Sequence, residues 1–84
     1  MQELIQRATD CADQIRFIND RQARRDLLRM MGAVDSALNR LDSESVECRR
    51  LRRNTARYAE LEKQAAELIV NLEQHLTFAR LRFG

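Results

Sequence analysis

Apolar residues recur in steps of four and three along almost the whole chain, and this rhythm restricts it to helices. Leu4, Ala8, Cys11, Ile15 and Ile18 follow it, and Leu27, Met31, Val34, Leu38 and Leu41 repeat it. A third series runs Leu51, Thr55, Tyr58, Glu62, Ala65, Ile69, Leu72, Leu76, Ala79 and Phe83, with Thr55 and Glu62 as its two polar members and Leu61 and Leu68 widening the stripe. Such spacing holds one side of a helix apolar, whereas a strand needs strict alternation. Leu and Ala occur eleven and ten times, against ten Val, Ile and Thr together, which favours helix over strand chemistry. Proline is absent and glycine occurs only at Gly32 and Gly84, so tight strand turns and phosphate-cradling loops lack their usual residues.

Two places interrupt the rhythm. Ile18 and Leu27 are nine residues apart, out of phase with a continuous seam. Asn19 with Gln22 has the form of a capping box, and Ile18 supplies a staple residue, so a kink or a new helix near Asn19 is one reading. The absence of a strong breaker favours the other, a helix continuous through Asn19, because even Gly32 costs only about 1 kcal/mol in a helix interior. The second interruption, Leu41-Asp42-Ser43-Glu44-Ser45, offers caps at Asp42 or Ser43 and places Glu44 and Glu47 beside the positive end of a following helix. Arg80 and Arg82 suit the last turn of that helix. The expected architecture is therefore an all-α, long antiparallel helical hairpin in one domain, 1–84, with a helix over 2–41, a turn at 42–43 and a helix over 44–83. Each arm would be roughly 60 Å long at the helical rise. A turn near residue 43 also sets a register in which Glu3 faces Arg80 and Arg82, and Arg21, Arg24 and Arg25 face Glu60 and Glu62.

Eighty-four residues build only a thin core, and two facing helices cannot cover wide stripes. Ile5, Leu28 and Met30 on the first arm, and Phe78 and Leu81 on the second, lie beside their stripes. These residues beside the stripes form the expected partner-binding surface. The expectation is a protein–protein interaction module, an adaptor, small chaperone or inhibitor, that assembles as a homodimeric helical bundle or binds a helical partner. Each Leu or Phe fully buried in such a contact contributes about 1.5 to 3 kcal/mol.

The alternative rests on charge. Residues 16–57 hold eleven arginines against six acids, while 58–73 are net negative, in a chain whose overall charge is only +2. Arg49, Arg50, Arg52, Arg53 and Arg57 would form a positive patch near the hairpin tip, suited to phosphate and hence to nucleic acid. No aromatic residue is interleaved there for base stacking, so this reading ranks second.

Other classes find less support. Cys11 and Cys48 lack the spacing of a zinc or redox pair, and with His75 they supply too few ligands for a structural metal, so no cofactor is expected. His75 has no acid placed to orient it beside a nucleophile, and no enzyme or small-molecule substrate is expected. The opening residues show no secretion signal and no apolar run is long enough to cross a bilayer, so the expected location is the cytoplasm, without membrane contact.

The stretch from Arg53-Asn54-Thr55-Ala56 to Glu62-Lys63-Gln64-Ala65-Ala66-Glu67-Leu68-Ile69 resembles the second helix of the small helical-hairpin co-chaperones of bacterial type III secretion, which help hold needle subunits before export. The resemblance implies a non-enzymatic bacterial protein that binds another helical chaperone through the face around Leu61, Leu68, Leu72 and Leu76.

Overall fold

The computed structural model describes residues 1–83, and its regular structure is entirely helical. Helix α1 spans Gln2–Ile15, α2 spans Arg21–Leu51 and α3 spans Ala56–Phe83, and each packs on the other two. Three helices thus replace the two expected arms, and the rod is 47 Å long rather than about 60 Å.

The first correction is at residues 16–20. The helix does not continue through Asn19: α1 ends at Ile15, and Phe17 and Ile18 each donate a backbone N–H three residues back, to Gln14 and Ile15. Asp20, with extended backbone, caps α2 by accepting the Ala23 N–H at 2.9 Å. The cap therefore falls one residue beyond the one expected. Neither glycine nor proline makes the break. Ile18 is buried at the closed end of the core, and the polar run after it carries the cap, so burial and capping together turn the chain.

The second correction is the expected turn at 42–43, which α2 passes straight through to Leu51. Asp42 and Ser43 simply face solvent, while Glu44 points inward with only 14% of its side chain exposed. A polar run that mimics a cap is here one wet helix face plus one inward carboxylate. The chain reverses instead over residues 52–55. Arg52 adopts left-handed backbone (φ 57°, ψ 36°), and the Arg52 and Arg53 N–H groups bond the carbonyls of Arg49 and Cys48, a Schellman pattern ending α2.

Moving both boundaries changes the register. Arg7 bonds Glu73 and Arg80 bonds Gln14, both pairs 66 positions apart, so α1 and α3 run in the same direction. Ala23 and Leu27 share a hollow with Ala79 and Phe83, whereas Glu44 reaches Thr55 at the far end, so α2 runs opposite to α3. The expected meetings of Glu3 with Arg80 and Arg82, and of Arg21, Arg24 and Arg25 with Glu60 and Glu62, are absent from the ion pairs of the described residues. One core runs the length of the rod through Leu4, Ile15, Val34, Leu41, Ile69 and Leu72.

Candidate functional site

At the turn end of the rod the core is closed by a set of hydrogen bonds. Thr55 caps α3 by accepting the Tyr58 N–H at 3.1 Å, and its hydroxyl donates to Glu44 Oε1 at 2.6 Å. Arg57 lies 3.7 Å from the other oxygen of Glu44. This explains one polar intruder in the apolar rhythm, since Thr55 is a cap. The other, Glu62, is exposed beside Tyr58, whose hydroxyl is pushed above its ordinary value by burial and then by the Glu62 charge.

The five arginines expected to act together there divide. Arg50 is bound to Glu47, whose carboxyl its guanidinium holds below the usual range, and Arg57 is drawn toward Glu44. Arg49, Arg52 and Arg53 are exposed and take no part in an ion pair among the described residues. Arg49 follows Cys48 and Arg53 follows the left-handed Arg52, so the three occupy the helix end and the turn rather than one continuous helical face.

The expected apolar surface divides too. Leu61, Leu72 and Leu76 are buried in the chain's own core, and Leu68 is half-buried against it. They are not a free surface. Around Leu72 and Leu76 the side of the α2–α3 pair that two arms would leave open is covered by α1, the separate helix that the break before Asp20 creates. Met30 is half-buried and lines a hollow with Phe78. Ile5, Leu28, Phe78 and Leu81 are exposed, with Phe78 at 71% and Leu81 at 82%. Phe17, at 73%, joins them, as does Val70 at 42%; neither was expected. Phe17 escapes a periodicity argument because it lies in the break, where helical phase has no meaning. Val70 escapes because it adjoins buried Ile69 and reads as part of the stripe.

The outward residues of α3 have a pattern of their own. Glu67, Val70, Gln74, Phe78 and Leu81 succeed one another at three or four positions, on the side away from Ala65, Ile69, Leu72, Leu76 and Ala79. A shallow hollow of about 310 Å³ lies on this side between Ala66, Glu67, Val70, Asn71 and Gln74, and all five belong to α3. Two turns farther on, Phe78 and Leu81 protrude, followed by Arg82, whose guanidinium stacks on Phe83 at 5.4 Å.

Charge follows the same axis. The rod's middle band, residues 1–11, 30–39 and 64–75, contains Glu3, Asp10, Asp35, Glu67 and Glu73 against one arginine, Arg7, already bound to Glu73, and no lysine. Residues 12–29 and 76–83, at the end away from the 52–55 turn, hold seven arginines against three aspartates.

Other chemistry is not assembled. His75 bonds the Asn71 carbonyl of its own helix at 2.8 Å. Cys11 and Cys48 are buried and unbridged, and burial pushes the Cys11 thiol up. Among the described residues no three His, Cys, Asp or Glu side chains gather where a metal would sit, and no helix is long and apolar enough to cross a membrane. Comparison with protein-family models, curated proteins and solved structures finds no match.

Proposed function

We propose that this chain is a non-enzymatic protein–protein interaction module, of the adaptor or small-chaperone kind, which buries apolar side chains of its helices against a second copy or a helical partner. The observation that carries this reading is the pair Phe78 and Leu81, more than two-thirds exposed on one helix whose inner face is already satisfied. Large apolar side chains so placed lose hydration cost only when something covers them. The working surface is α3's outer face with Met30 at its margin, while Ile5 and Leu28 are exposed on the other two helices and the buried leucines of α3 serve as scaffold. The likeness to type III secretion co-chaperones agrees with this reading in kind, a helical binder of helices, and is carried as part of the proposal. A cytoplasmic location belongs to it as well.

Photo-crosslinking in the expressing cell tests it. A photoreactive residue at position 78 or 81 is expected to give discrete protein adducts, whereas one at the exposed position 25 gives none. Equal yields at all three positions would contradict the reading. The alternative, nucleic-acid binding, draws on Arg49, Arg52 and Arg53 at the turn. It requires retardation of duplex or single strands in a gel at low salt that weakens steeply as salt rises.

A further inference from the structure

We infer that the occupant of α3's outer face is a second copy of the same face, lying antiparallel about a two-fold axis at Gln74. This rests on the interaction reading above and gives its partner an identity. The argument is one of self-complementarity, which a two-fold interface demands because each residue that meets another must be met by it in return.

The residues of this face are matched about Gln74. Val70 and Phe78 stand four positions on either side of it, Glu67 and Leu81 seven, and Ala66 and Arg82 eight. Reversing one helix against its copy therefore brings protruding Phe78 over the partner copy's hollow beside Val70. It also lays Leu81 beside Ala66 and brings Arg82 to the carboxylate of Glu67. Every contact occurs twice. Knob meets hollow, and base meets acid. A parallel pairing would instead set Phe78 on Phe78, leave the hollow unfilled, and oppose Arg82 to Arg82 and Glu67 to Glu67, which like charges disfavour.

The approach is open. The hollow is lined by α3 alone, so α1 and α2 do not stand over it. At the 8–10 Å spacing of packed helices, contact over residues 66–82 is roughly 25 Å long and one helix wide. That is small beside the roughly 800 Å² per partner of a standard interface, so the dimer exchanges readily with monomer and its population follows concentration.

Cysteine placement reads out both partner and direction, with native Cys11 and Cys48 buried and out of reach. Under mild oxidation, Gln74→Cys is expected to give a disulfide-linked dimer by itself. Val70→Cys and Phe78→Cys are each expected to stay largely monomeric alone and to link to one another when mixed, because only antiparallel pairing juxtaposes them within disulfide reach. Self-linkage of Val70→Cys and of Phe78→Cys at rates equal to the mixture would overturn the antiparallel register. Should the unmodified chain sediment as a monomer at every concentration up to millimolar, the second copy is refuted as the occupant. Adducts to a different protein at position 78 would then leave the broader interaction reading standing. A charge exchange supplies a check that spares the apolar residues: Arg82→Glu is expected to weaken dimerisation several-fold, and Glu67→Arg in the same chain to restore it. Failure of the restoration, with both variants folded, counts against the proposed pairing.

Discussion

Arg52 is the residue whose backbone is least at ease. It is the one non-glycine position among the described residues with positive φ, and a side chain in the left-handed region costs about 1–2 kcal/mol. The Schellman hydrogen bonds and the Glu44–Thr55 contact hold it there. Arg52→Gly is expected to relieve that strain, offset in part by the greater freedom of glycine in the unfolded chain, for a net gain of about 0.5–1 kcal/mol in denaturant unfolding. Arg52 itself carried no signal of the turn, because arginine is a poor marker of left-handed backbone. Thr55 did carry a signal. A hydroxyl in an otherwise apolar rhythm marks either a cap or a defect, and three positions before Tyr58 it is a cap. Glu44 misled for the converse reason: a carboxylate expected at a helix start is in fact accepting a hydrogen bond from the opposite helix.

Helix identity was legible in the four-and-three rhythm, and all three helices carry it. Their ends were legible only where the side chain that makes the end is local. The nine-residue slip between Ile18 and Leu27 recorded a real break, yet weighing propensity alone favoured continuity, since nothing in the run forbids helix. Helix α1 ends in a tightened turn, with Phe17 and Ile18 bonding three residues back, and Ile18 stays buried through it. Asp20 then makes the cap that Asn19 was expected to make. These two positions separate in experiment. Asp20→Ala is expected to lower stability by about 1 kcal/mol, within the usual range for a lost cap, while Asn19→Ala, whose amide only reaches the Phe83 carbonyl at 3.4 Å, costs much less. Thermal unfolding of both variants measures the difference, and equal losses would return the cap to Asn19.

For the whole molecule, the decisive event is that α1 folds back to run alongside α3. The co-chaperone resemblance implies a partner on Leu61, Leu72 and Leu76, but all three are buried in the chain's own core. A third helix encloses the core along part of its length, and the binding role proposed above falls to side chains on the outside of α3. Phe78 and Leu81 were legible as residues beside the stripe; the hollow between Ala66 and Gln74 was not, because it exists only once neighbouring side chains have taken their places. The rod's acidic middle and arginine-rich end likewise emerge only in three dimensions, since residues 1–11, 30–39 and 64–75 meet through folding alone. The same division of labour forecasts opposite fates for two aspartate substitutions. At Leu72, fully buried, an unpaired carboxylate is incompatible with the core and unfolds the chain, whereas at Phe78 it leaves the helices intact.

Sedimentation equilibrium of the Phe78→Asp/Leu81→Asp chain beside the unmodified protein, with helix content followed by circular dichroism, puts the assignment of the outer face to its hardest test. The unmodified protein is expected to gain mass with concentration while the doubly substituted one, equally helical, stays monomeric with its dissociation constant raised at least tenfold. A folded double variant that associates as strongly as its parent would show that these side chains are not where the molecule makes its contacts.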